Sequence, residues 1–417
     1  MMTFFGRASA VALAAVLMTA APHAALAQKK KEEAKGGAPA LKLSKPVQSL
    51  AAQAQKLQGE GNHAGAIELL KQADAIPNKN ADDTYIISML RLNSAITLND
   101  NALIEQSIEG ALASGKLPVD DQVKFRRNLG AMALQRQDYA KAQSEFEKLV
   151  QMNPSDSSML VEIAELQRRQ GQNQKAIATL QQGIATQEKA GTKPDESWYR
   201  RALAIAYDSK LPAETVATSE ALVRAYPNAT NWRDVLVIYR DTTRFDDQGN
   251  LDILRLMRAN SALAGERDYA EYAETASLRG YPGEAKAVID EGIAKGALKT
   301  TTPFVKEVTA SVNPKIAGDK ASLPGLEKES KAAANGRAAL GTADAFLGYG
   351  QYAKAAELYK VALQKGSVDA ATVNTRLGFA LGKSGDKAGA EAALKSVTGA
   401  PRDQLARYYL IWLNNQP

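Results

Sequence analysis

Histidines, cysteines and paired carboxylates are the side chains through which a protein does acid–base, nucleophilic or metal chemistry, and here they are sparse. The 417 residues contain two histidines, His23 and His63, and no cysteine. His23 falls in a leader-like N-terminal stretch, so a Ser-His-Asp triad or a histidine-based metal site would have to use His63. That residue sits in the turn-like run Gly61, Asn62, His63, Ala64, Gly65. No HExxH, Gly-x-Ser-x-Gly, GxxxxGK[ST] or dinucleotide-binding glycine fingerprint accompanies it. We read it as a polar surface residue. Without cysteine there is no disulfide framework, thiolate zinc site, thiol nucleophile or acceptor for a lipid anchor. No cofactor and no metal is expected.

Carboxylate pairs are the remaining route to catalysis, because glycoside hydrolysis needs only two Asp or Glu side chains. Some lytic transglycosylases join a helical superhelix to a lysozyme-like domain marked by a Glu-Ser pair and a following Gly-Leu-Met-Gln stretch. Glu196 with Ser197 and Glu329 with Ser330 supply the pair, but neither is followed by that stretch. A peptidoglycan- or polysaccharide-processing enzyme using Asp and Glu is therefore the alternative, and a non-catalytic protein the main reading.

The elements that would position any site are helices. Residues 123–156 superpose without gaps on residues 157–190, the spacing of a repeat of about 34 residues. In that register Leu129 falls on Ile163, Gly130 on Ala164, Ala142 on Ala176 and Phe146 on Leu180, with Pro154 closing the first unit. This pattern resembles the tetratricopeptide repeat, a helical hairpin with Leu-Gly, Ala, Phe and Pro at set offsets. The resemblance implies small residues at Gly130 and Ala142, where the two helices cross, and Phe146 between one hairpin and the next. It returns near the C-terminus, where Tyr352, Ala355 and Tyr359 echo Tyr139, Ala142 and Phe146. A further unit there carries Leu377, Gly378, Ala390 and Leu394. The implied fold is all-α: a right-handed superhelical solenoid of nine helical hairpins with a C-terminal capping helix.

Composition and the N-terminus speak to compartment. Arg7, an apolar run over residues 8–21 and the small-x-small sequence Ala25, Leu26, Ala27 form the three parts of a secretory signal peptide. The apolar run is shorter than the roughly 20 residues of a transmembrane helix, and no second such run follows, so the mature chain is expected to have no transmembrane span. The whole chain carries a formal charge of +6, and removal of Arg7 leaves it only mildly basic. An exported, cysteine-free, Ala-rich chain is expected in a bacterial periplasm and not as a lipoprotein. Modest charge and the lack of a stacking platform argue against nucleic acid.

Along the chain, the expected divisions are a cleaved signal at 1–27, a disordered basic linker at 28–46 and a first array at 47–298. A proline-containing insertion or hinge follows at 299–335, with further repeats and the capping helix at 336–417. Pro303, Pro314 and Pro324 predict that the insertion is broken, with one helix around residues 304–311 and another from Leu326. The aromatics Tyr408, Tyr409 and Trp412 suit a helix covering the solenoid's last interface.

If the resemblance holds, the first helix of each hairpin lines a concave groove. Its contacting positions then include Lys124, Arg127, Arg168, Arg169, Trp198, Arg201, Arg233 and Arg240, while Trp232 falls in the core. Arginine forks suit carboxylates, and an exposed Trp adds contact area. Protein or peptide partners with acidic or C-terminal carboxylate groups are therefore expected. The sequence leaves the oligomeric state open.

Overall fold

The computed structural model describes residues 41–416, so the signal-like residues 1–27 and the linker as far as residue 40 lie outside it. Among the described residues there are twenty α-helices and no strand, and no helix is long and apolar enough to cross a membrane. Eighteen helices form nine successive pairs; the other two are the fifteenth and the last. Side-chain oxygens cap many N-termini, accepting from backbone N–H groups that have no partner inside the helix. Asn62, Asp100, Asp138, Asn228 and Asp386 all do so, and Asn80 forms a full capping box with Asp83. The turn within a pair is also repeated. Asn99, Gln137, Gly171, Lys210, Gly280 and Gly350 each sit at positive φ between the helices of their pair.

The chain forms two compact units, divided between Leu117 and Pro118. The first holds α1 (Lys45–Gly59), α2 (His63–Asp74), α3 (Ala81–Thr97) and α4 (Asn101–Ala113). Its core joins Val47, Ala51 and Ala54 to Leu70, Ile87 and Leu90. The last residues of the expected linker are ordered in this unit. The Lys42 and Ser44 amides donate to the carboxylates of Asp82 and Asp83 at 2.9 and 2.8 Å, and α1 begins at Lys45. The acidic first turn of α3 therefore fixes the entry of the chain.

The second unit opens with α5 (Val119–Gln135), α6 (Tyr139–Met152), α7 (Ser158–Arg169) and α8 (Asn173–Lys189). At the helix crossing, a Cβ on Gly130 would stand 2.2 Å from the Phe146 ring, and Ala142 is fully buried. Gly378 repeats the arrangement against Leu394, at 2.4 Å. Leu129, Ala176, Leu180, Ala355, Tyr359, Leu377 and Ala390 are all buried. Gly130 with Phe146 and Gly378 with Leu394 are thus where the two helices of their own hairpins meet, and Phe146, expected between hairpins, packs within its own while sharing a core with Leu160 and Ile163 of the next.

Next come α9 (Glu196–Asp208), α10 (Pro212–Ala225), α11 (Ala229–Thr242), α12 (Asp247–Ala259), α13 (Gly265–Leu278) and α14 (Pro282–Ala294). The α11/α12 connection lacks the positive-φ turn: Thr243 is extended, at φ −127°, and Asp246 caps α12. Phe245, in this connection, packs edge-on against Tyr239 at 5.4 Å.

The expected break at 299–335 is corrected. A single helix, α15 (Pro303–Ala332), runs through Pro314 and Pro324. An interior proline removes one backbone hydrogen bond and is usually disruptive. Here both prolines are exposed, as are Ala310 and Lys320, the residues four before them, so water can satisfy the freed carbonyls. Val305, Val308, Val312 and Leu323 are buried in the same core as the flanking hairpins. Burial along one face outweighs the two lost hydrogen bonds, and the segment joins its neighbours without an array boundary.

The closing elements are α16 (Arg337–Gly348), α17 (Tyr352–Lys365), α18 (Ala370–Lys383), α19 (Lys387–Lys395) and α20 (Arg402–Asn414). Helix α20 covers the last pair as a cap would, Trp412 and Tyr409 lying 5.3 and 5.5 Å from Phe379. Its other face does something the sequence did not suggest. Tyr408 packs against Tyr239 at 5.3 Å and Trp232 at 6.4 Å, and Arg407 donates to Glu220 at 2.7 Å. The C-terminal helix therefore packs on α10 and α11 as well, near the connection that lacks the usual turn. Its aromatics are buried on both sides, and one core runs from Ile184 to Leu413.

Candidate functional site

The first helices of successive pairs are joined by side-chain bridges about one repeat apart. Arg200 and Tyr207 on α9 donate to Asp234 and Asp241 on α11 at 2.7 and 2.6 Å. Arg233 on α11 donates to Asp268 on α13 at 3.3 Å, and Arg240 bonds Glu271 on the same helix. Farther back, Asp208 on α9 acts electrostatically on Arg168 of α7. Helices α7, α9, α11 and α13 thus present like faces side by side.

Most of the groove cations read from the sequence are already paired. Lys124 donates to Asp121 at 3.1 Å, and Arg127 lies 4.0 Å from Asp156. Arg168 grips Glu165 with two bonds of 2.9 and 2.8 Å, and Arg169 donates to the same carboxylate at 3.0 Å. The Arg168 hydrogen bonds lower the Glu165 pKa against a modest burial penalty, with Arg169 adding to the effect. Each of these residues is at least partly exposed, so its charge is accessible but compensated. Arg201 is exposed, with Asp195 as an electrostatic neighbour.

Trp198 is corrected. It is half-buried and packs against two adjoining cores, leaving no exposed indole in the groove. The reason is Gly183 on the preceding repeat: a Cβ there would lie 3.0 Å from the Trp198 ring, so the bare backbone makes its seat. Trp232 is in the core, as its register required. Arg233 and Arg240 line a cavity of about 630 Å³ together with Arg244 and Arg267, alongside five carboxylates.

A second arrangement is deeper and was not foreseen. Asp252 on α12 receives Arg376 from α18 at 2.9 Å, Arg402 from α20 at 2.5 Å and Arg255 at 3.0 Å. Arg255 makes a two-pronged contact with Glu284 at 2.8 and 2.7 Å, and Arg376 also donates to Asp344 at 2.7 Å. Tyr272 donates to Glu284, and Tyr281 and Tyr359 to Asp344. Burial alone would raise the Asp252 pKa, but Arg376, Arg402 and Arg255 together hold it down at about 2. Glu284 is lowered in the same way by Arg255, and Arg376 is raised by Asp252 and Asp344 against its own burial. Complete pairing permits this many charges in a core. The available signal was a charged pair, Asp252 and Arg255, set among Leu251, Ile253, Leu254, Leu256 and Met257.

Beside this network lies a cavity of about 510 Å³ formed by α12, α14, α15 and the helices α16 to α18. Arg258, Lys320 and Lys383 reach it, with Tyr349, Tyr352 and Phe379 in its wall. Lys320 was missed because a continuous α15 was not anticipated, and the others because no local pattern brings α12, α17 and α18 together.

Stacked hairpins with accessible, mixed-charge first helices define a helical-repeat protein. Residues 133–191 match the tetratricopeptide repeat family model, from the end of α5 through α8. Over those residues the chain is similar to the tetratricopeptide repeat, and its described residues form an all-α solenoid of successive helical hairpins. No curated protein matches it. Among solved structures it is similar to a tetratricopeptide repeat protein from Parabacteroides merdae, at 12% identity with a TM-score of 0.28, over 71% of this chain and 100% of that one. The C-terminal part of a repeat protein from Cytophaga hutchinsonii is similar at 13% identity with a TM-score of 0.25, over 78% and 98% of the two chains. So is the TPR2AB domain of yeast Sti1, solved in complex with pHSP90, at 12% identity with a TM-score of 0.25, over 70% and 99%.

Proposed function

We propose that this chain is a non-catalytic scaffold of the bacterial periplasm, holding an extended, acidic segment of a protein partner in cell-envelope assembly or maintenance. The observation that supports this is the side-by-side alignment of α7, α9, α11 and α13, bridged at repeat intervals by Arg200–Asp234, Tyr207–Asp241 and Arg233–Asp268. A backbone in extended conformation laid across α5, α7 and α9 meets Arg127, Arg168, Arg169 and Arg201 in turn. Its carboxylates exchange with Glu165 and Asp156 for guanidinium groups, so the net gain per contact is small and affinity comes from several contacts at once. The periplasmic assignment rests on Arg7, the apolar run and the Ala25, Leu26, Ala27 sequence.

The test is the double substitution Arg127→Glu and Arg168→Glu. On this reading it abolishes recovery of the partner after crosslinking in intact cells, while the variant stays folded and abundant. Unchanged recovery refutes it. Loss of a muropeptide-cleaving activity on substituting one groove Asp or Glu would favour the enzyme reading instead.

A further inference from the structure

The cavity between α12 and α18 combines three properties. First, its charge is unbalanced: Arg255, Arg258, Lys320 and Lys383 line it against the carboxylates Glu284 and Glu291. Glu284 is consumed by Arg255, and Glu291 is divided between Arg258 at 2.6 Å and Lys295 at 2.9 Å. Second, the two lysines meet aromatic rings instead of acids. Lys320 lies 5.2 Å from the centre of the Tyr349 ring and Lys383 6.0 Å from that of Tyr352. Third, the wall is aromatic, with Tyr352 and Phe379 edge-to-face at 6.1 Å.

The walls are rigidly supported. The Tyr349 hydroxyl donates to Asp319 of α15 at 2.6 Å, and its ring lies over Gly283, where a Cβ would come within 2.1 Å. Phe379 is held from behind by Tyr409 and Trp412. The volume, about 510 Å³, is that of a small-molecule site. Burial and repulsion from Arg258 lower the Lys383 pKa.

We propose that this cavity binds a small aromatic acid, its ring against Tyr349, Tyr352 and Phe379 and its carboxylate or phosphate between Lys320 and Lys383. The site is separate from the charged face of α5, α7, α9 and α11 and stands or falls independently of the scaffold reading. An anion there would also bridge α15 and α18, and so report on both sides of the folded unit.

Isothermal titration of the full-length mature protein tests it with four probes: 4-hydroxybenzoate, adenosine 5′-monophosphate, inorganic phosphate and benzyl alcohol. The expected result is saturable binding of at least one ring-bearing anion. Binding of 4-hydroxybenzoate alone assigns a carboxylate, and binding of the mononucleotide alone a phosphate. Phosphate without a ring and the ring without charge bind at least about tenfold more weakly. Lys320→Gln and Lys383→Gln each weaken the bound acid about tenfold, the loss of one charge-assisted contact, with the melting temperature of the free protein unchanged. Failure of both ring-bearing acids to bind overturns the proposal. So does binding that neither lysine substitution weakens.

Discussion

Arg376 donates to Asp252 at 2.9 Å across 124 positions of sequence, with both side chains almost wholly buried. A simple solenoid has no such contact, because each repeat touches only its neighbours. Arg402 and the Tyr409 hydroxyl reach the same residue from α20. The α12 segment is therefore held by α18 and α20, far along the chain.

Removing one partner from a buried ion network leaves the other charges uncompensated, at a cost of about 3–5 kcal/mol. Arg376→Met should lower stability by that amount, because Asp252 and Asp344 both lose a donor. The midpoint of urea unfolding measures it. A loss under about 1 kcal/mol would show that the network is dispensable.

The network also sets an acid limit. With its carboxyl at about 2 instead of the usual 3.8, Asp252 binds a proton more readily in the unfolded chain. Its stabilising contribution, roughly 2 kcal/mol, is complete above about pH 4 and disappears as the pH falls towards 2. Glu284, also lowered, adds in the same direction. Denaturation profiles between pH 5 and 2 should steepen accordingly, and Asp252→Asn, although less stable at neutral pH, should show a flatter acid limb. An identical pH slope in the two proteins contradicts this.

Within a repeat the relevant physics is overpacking. Ala142 has no exposed surface, so Ala142→Leu should cost about 1–3 kcal/mol. The exposed Lys175 on α8 tolerates Lys175→Gln within about 0.5 kcal/mol. Equal thermal melting of the two variants would mean that the hairpin register is wrong.

Trp412 is fully buried against Phe379 and Tyr409. Trp412→Ala should cost about 3–5 kcal/mol, typical of a buried aromatic. Closure by α20 further predicts that the slowest-exchanging amides of α11, α12 and α18 gain exchange together in this variant. Faster exchange confined to α18 to α20 would show α20 to be only a terminal cap.

The repeat was legible because steric demands at helix crossings are local: Gly130 with Phe146, and Gly378 with Leu394, fall at fixed offsets. Proline misled at Pro314 and Pro324 because its cost depends on solvent exposure, which sequence spacing does not reveal. The groove list falls on α5, α7, α9 and α11, but the compensating acids lie a turn or a repeat away, and Gly183 seats Trp198 inwards. Closure was invisible in principle: no local pattern tells Arg376 that Asp252 is its partner.

The face shared by the first helices carries the functional reading, and site-specific photocrosslinking in intact cells tests it most directly. A crosslinker placed at Arg168 or at Arg201 should capture the same partner, while one at Lys175 or Gln182 on α8 captures none. Equal capture from α8, or capture from neither first-helix position, would contradict a scaffold that works through this face.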